Sequence, residues 1–330
     1  MDEFPDEVFL QMFRYVPILD LFRGFYNLNS RLNRIIGEVR IHIHSVLNEE
    51  EQGYILPNIC PKQIRSFCVH EDRYEFLKLS QCNNIRQLEF GCHSRHTHET
   101  YVHRQLIHVQ PAVFPHLRKL TIYQQYWSSK YQQLCTMIFS NQFPVLKDVY
   151  LPYANGSCVP RIRTWSTSLI NVSIECCNKS MFYPLLNNLP NLKYFTCTFG
   201  TGNVGALEQQ CLSLKTINLT TYDQDSLFDN RDLMTFEEMN NLYRCLPNLE
   251  HTYIFMRCYY AIDEIINRLH GVLSNCQKLK SFECQIRYSR SSSPQVSLNQ
   301  IMNRYPLFRT ADYATWEDSR NKMFRIQSRY

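Results

Sequence analysis

A short apolar pattern recurs nine times along this chain, and no other feature of the sequence limits its fold so tightly. An apolar anchor is followed by two variable residues, an apolar residue, one variable residue and a last apolar residue. The copies begin with Ile64-Arg-Ser-Phe67-Cys-Val69, Ile85-Arg-Gln-Leu88-Glu-Phe90 and Leu117-Arg-Lys-Leu120-Thr-Ile122. Six more follow, anchored at Leu146, Leu169, Leu192, Leu214, Leu249 and Leu279, with Thr252 in one of the apolar places. Alternation over the last three apolar positions is the period of a strand with one buried face. Anchors stand 21 to 35 residues apart, with the three shortest consecutive steps, 23, 23 and 22, in the middle of the series. Three residues before most anchors an apolar or sulfur side chain returns: Cys82, Phe114, Phe143, Leu189, Cys211, Leu246 and Cys276. Leu189-Pro190-Asn191-Leu192 reappears as Leu246-Pro247-Asn248-Leu249, and proline there fits a helix ending as the chain turns into a strand.

Between the strands the pattern predicts short helices over 74–79, 131–139, 181–186, 206–211, 236–242 and 262–273. A strand and a helix cannot bury their own apolar faces, but stacked neighbours make a continuous core. At these residues the chain resembles the leucine-rich-repeat family, whose repeats run 20–29 residues. The resemblance implies an α/β solenoid, a horseshoe of parallel strands, over residues 64–304. Of the family's ladder residue, eight positions after the anchor, only Cys177 matches. Residues 41–63 read as a linker or first capping segment, and 305–330 as a cap or tail. Cys82, Cys197, Cys211, Cys276 and Cys284 fall on apolar positions, where a thiol packs as a small hydrophobe.

Composition narrows the function classes. Of 330 residues, 44% are hydrophobic and 20% charged, a balance that excludes a disordered chain. No apolar run approaches the ~18 residues of a membrane span, and the first residues are acidic where a secretory signal is basic, then apolar. The expectation is a chain of the cytoplasm or nucleus with reduced thiols. A net charge of +5, spread along the sequence, is too weak to argue for nucleic acid.

The first forty residues are a different object. Phe4-Pro5-Asp6-Glu7-Val8-Phe9-Leu10-Gln11-Met12-Phe13-Arg14-Tyr15-Val16 has helical spacing, with acids at its start and Val8, Met12 and Tyr15 on one face, widened by Phe9 and Phe13. Pro17 interrupts. Asp20 is placed to cap a second helix from Leu21, and Ser30 a third that stops at Gly37. This many large apolar residues exceeds what so small a bundle buries. Phe4-Pro5-Asp6-Glu7-Val8, Met12-Phe13-Arg14-Tyr15-Val16 and Asp20-Leu21 resemble the first two blocks of the F-box family, while Leu28-Asn29-Ser30-Arg31-Leu32-Asn33 departs from the third. The resemblance to an F-box protein with leucine-rich repeats implies a non-catalytic substrate receptor of an SCF-type ubiquitin ligase. Its helices would dock a Skp1-like adaptor, and through it a cullin, with Pro5, Val8, Phe9, Met12, Phe13, Leu19 and Leu21 at or beneath the contact. The alternative is a leucine-rich interaction scaffold outside ubiquitin transfer, with the helices as a solenoid cap.

Outward strand positions, two, four and six residues after each anchor, would hold a protein substrate. Tyr123, Tyr150, Tyr194, Tyr253 and Phe255 fall there, and such aromatics are natural interface anchors. Two chemical rivals were weighed. Gly200-Thr-Gly-Asn-Val-Gly205 with Asp223 has the form of a dinucleotide-binding turn, but its 22-residue step is shorter than the ~30-residue unit that turn requires. Cys92-His93-Ser-Arg-His96-Thr-His98, with His103 and His108, lacks the paired spacing of structural zinc ligands and reads as a surface loop. Neither a cofactor nor a metal is therefore expected. Arg287 to Pro294 reads as a serine-rich loop, open to phosphorylation.

Overall fold

The computed structural model describes residues 4–43, 53–69, 79–91, 106–123, 128–199, 207–221, 234–258, 262–289, 298–317 and 321–329. The chain is α/β with mostly parallel strands, and divides into two compact units, Met1–Val149 and Tyr150–Tyr330. Among the described residues no helix is long and apolar enough to cross a membrane.

The first unit opens with α1 (Asp6–Phe13), α2 (Ile18–Phe25) and α3 (Ser30–Glu38). Pro5 and Pro17 stand at the two N-caps. Asp20 therefore falls in the first turn of α2 rather than capping it. Asn29, not Ser30, caps α3 by accepting from the Leu32 amide, and Gly37 lies inside that helix. Asp6 clasps α3 through Arg31 at 2.8 Å and Arg34 at 2.6 Å. The Arg31 guanidinium lies 5.7 Å from the centre of the Phe9 ring. Strands β1 (Ile41–Ile43), β2 (Ile64–Val69), β3 (Gln87–Phe90) and β4 (Lys119–Ile122) follow in spatial order, all parallel. Strand β1 belongs to the segment read as a linker. It pairs with β2, while Gln63 donates to the Ile36 and Val39 carbonyls and ties the helices down. Helix α4 (Ser129–Phe139) starts at Ser128, whose hydroxyl accepts from the Tyr131 amide.

Strand β5 (Asp148–Ala154) contains the division between the units. In the second unit the strands run β5, β6 (Asn171–Cys177), β7 (Tyr194–Phe199), β8 (Thr216–Thr221), β9 (His251–Cys258) and β10 (Ser281–Ser289). Pairing from β6 to β10 is parallel. Helices α5 (Lys179–Asn188), α6 (Phe236–Arg244), α7 (Ile262–Leu273) and α8 (Leu298–Asn303) intervene. The stripe Ile262, Ile265, Ile266, Leu269, Val272 and Leu273 buries one face of α7. The last residues form β11 (Asp312–Glu317) and β12 (Asn321–Arg329), antiparallel to each other, with β12 antiparallel to β10. The tail thus covers the open edge of β10, which would otherwise present unpaired backbone groups.

All nine repeats contain a strand. Anchors from Ile64 to Leu249 are fully buried, and only the last, Leu279, is partly exposed. Thr252 is accommodated among apolar neighbours because the buried Tyr243 hydroxyl meets its Oγ1 at 2.5 Å. Ahead of six strands the anchor amide donates to the carbonyl three residues back, at 3.2–3.3 Å, as in Ile85 to Cys82, Leu117 to Phe114 and Leu192 to Leu189. A regularity unread in the sequence lies one residue before the anchor. Asn84, Asn191 and Asn248 each donate from Nδ2 to a carbonyl of the preceding coil, those of Lys62, Thr167 and Leu212, at 2.7–2.8 Å. All three bonds lie at exposed positions.

Two further expectations fail. Residues 207–211 are not helical. The Glu208 amide is taken by the Asn187 side chain, and Gln209 donates to the Asn187 carbonyl, pinning this stretch to the end of α5. Strand β10 also extends through Ser289, so 287–289 are strand rather than loop. Residues 290–297, 200–206, 92–105 and 74–78 lie outside the described residues.

Candidate functional site

The first candidate surface is α1. Phe9 and Phe13 turn inward, with the Phe13 ring 5.0 Å from that of Phe25, and Leu21 and Phe22 are buried beside them. Of the seven residues assigned to adaptor contact, Phe9, Phe13 and Leu21 are thus interior and Leu19 is half-buried, while Pro5, Val8 and Met12 are exposed. Met12 is 55% exposed and Tyr15 86%. Val8 and Met12 lie one turn apart on α1 and Tyr15 just past its end, and together they make an apolar stripe exposed among the described residues. Phe4 and Leu28 are exposed as well. Their signal in the sequence was the excess of large apolar residues over what three short helices can bury.

Outward strand residues form the second candidate. In the first unit Tyr123 hydrogen bonds Glu89, and burial, followed by the Glu89 charge, pushes its phenol pKa up. In the second unit Tyr150 donates to Glu175. Register places Tyr194 in one row with Thr216, His251 and Ser281. Tyr253 stands in the next row with Thr196, Asn218 and Glu283, and Phe255 in the row beyond with Thr198 and Gln285. Tyr253 and Phe255 are therefore brought together on β9. Tyr194 is two strands away in a different row, and small hydroxyl and amide residues separate them. The aromatics do not make a continuous strip.

Beside Tyr253 lies a shallow pocket of about 230 Å³, lined by Asn218, His251, Ser281, Glu283, Gln327 and Ser328. His251 Nδ1 and Ser281 Oγ are 2.7 Å apart, and Glu283 meets Arg325 at 2.9 Å. The Ser328 hydroxyl is buried without a partner. The pocket is smaller than the ~300–1,000 Å³ of small-molecule sites and suits a single side chain. His251 and Ser328 were not singled out in the sequence. His251 stands two residues after its anchor, an outward strand position, whereas β12, which holds Ser328, had no repeat pattern to place it.

The five cysteines on apolar positions are all buried. Burial pushes the Cys82 and Cys276 thiols up to about 12, away from nucleophilic or ligating chemistry. Among the described residues no group of three or more His, Cys, Asp or Glu could hold a metal ion. Compared with known proteins, the chain matches no family model and no curated protein.

Proposed function

We propose that this chain is a non-catalytic substrate receptor of an SCF-type ubiquitin ligase, a leucine-rich-repeat solenoid led by an F-box. The uncovered stripe Val8, Met12 and Tyr15 carries the reading. An apolar helix face over a packed interior is what a partner helix needs to dock. Phe9, Phe13 and Leu21 act beneath it, fixing the helix that presents the stripe. The outward rows, with Tyr253, Phe255 and the pocket at Ser328, suit capture of a protein client. Catalysis would belong to the conjugating enzyme brought near, and this chain would contribute proximity.

The test is co-purification of the full chain with a Skp1-like adaptor. Val8→Glu with Met12→Glu, both at exposed positions, should abolish the complex while leaving the melting temperature unchanged. Retained binding would sink the assignment and leave the interaction-scaffold reading, which needs only the strand face.

A further inference from the structure

The residue immediately after each anchor forms a column of its own. In the first unit these residues are Arg65, Arg86, Arg118 and Lys147, with Arg40 just ahead of β1. Backbone bonds fix them in file: the Arg86 amide donates to the Arg65 carbonyl, Arg118 to Arg86, and Lys147 to Arg118, at 2.7–2.8 Å. Four cations therefore follow one another at the ~4.8 Å spacing of stacked strands, and the Arg40 charge lies near Arg65. Arg65 gives one hydrogen bond, to the Asn84 carbonyl. Nε of Arg65 and Nε of Arg86 are buried with no partner, and no acid pairs with any of the five among the described residues. Burial, and then the charges of Arg40 and Arg86, lower the Arg65 pKa. Arg118 and Lys147 are exposed.

We infer that this column is a docking surface for an acidic polypeptide segment. Unpaired guanidinium forks match carboxylates in a two-point geometry. Four cations over roughly 14 Å would span about four residues of extended chain. Two features favour peptide over nucleic acid. No aromatic stands at the column positions for bases to stack on, and Glu89 and Asp148 on the adjoining strands oppose a broad polyphosphate. The inference stands on the charge column alone and goes beyond the adaptor reading.

The probe is a fluorescein-labelled hexaglutamate peptide, titrated with the full chain by anisotropy at low salt. Saturable binding that weakens as salt rises is the expected result. Arg118→Gln should weaken it about threefold, and Arg118→Gln with Lys147→Gln about tenfold, by the scale of exposed ion pairs. Both positions are exposed, so the melting temperature should not move. Lys280→Gln in the second unit should leave binding unchanged. Absence of binding, or equal loss with Lys280→Gln, overturns the inference. Tighter binding of an oligothymidylate of equal charge overturns it in favour of nucleic acid. Adaptor and client are absent from the measurement, so its failure and the failure of the adaptor reading are separate results.

Discussion

Place the two units' post-anchor columns side by side: Arg65, Arg86, Arg118 and Lys147 in the first, and Ile170, Lys193, Lys215, Glu250 and Lys280 in the second. The backbone is the same, with each amide donating to the previous coil's carbonyl. The charge is handled differently. Glu250 sits between two lysines and bonds both, Lys215 at 2.8 Å and Lys280 at 2.5 Å. Those hydrogen bonds, Lys215 first, hold its carboxyl at about 2. One acid in the file pairs two of the three lysines of the second column. Among the described residues the first column has no acid bonded to it. A stacked fold repeats every sequence position at strand spacing, so a single substitution decides whether a whole edge is self-satisfied.

That contrast requires both units to be held by the same kind of apolar spine. Phe114→Ala in the first and Phe195→Ala in the second should each cost about 3–5 kcal/mol in urea unfolding. A loss under about 1 kcal/mol in either would mean that unit is supported some other way. Next comes the buried pair of the second unit. Lys179, almost wholly buried, meets both oxygens of Glu238 at 2.9 and 3.2 Å, and Glu238 also accepts the Thr235 amide. Glu238→Ala should destabilise by about 3 kcal/mol by stranding the ammonium. Lys179→Met with Glu238→Leu should recover most of that, and a double variant no better than the single would refute the charge argument. Asn84→Ala and Asn248→Ala should each lose about 1 kcal/mol, equally in the two units. Unequal losses would show that the stitch matters in one unit only.

The smallest expected effect bears most directly on the columns. Glu250 has its pKa lowered from 4.5 to about 2. Its stabilisation is therefore complete above about 4.5 and fades as pH falls toward 2. Glu250→Gln should flatten that part of the stability curve measured by urea titration. At neutral pH it should also give the second column affinity for hexaglutamate. If the variant follows the parent curve and gains no affinity, the closed-versus-open distinction fails.

Strands β2 to β10 were legible because each carries its own alternation and anchor, signals within six residues, whereas β1, β11 and β12 have no such anchor. Helices α4 to α7 were legible from their apolar spacing. The 206–211 helix was not, because a side chain of the preceding coil, Asn187, claims its backbone. The basic column was illegible for a different reason. Its members stand 21 to 32 residues apart and read as charge scattered along the chain until stacking files them together. They could have been found by writing the repeats one under another. At the N-terminus the apolar excess was visible, but which of Val8, Phe9, Met12 and Phe13 faced outward depended on where α3 packed.

The asparagine stitch has a consequence for how such a chain tolerates change. At three coils the Asn just before the strand fastens the chain to the preceding coil, and that hold does not depend on the length of the segment leading up to it. Loops on the far side can lengthen, shorten or be exchanged while the strand edges stay aligned. Foreign peptides grafted there would be carried as passengers at fixed intervals along an unchanged backbone.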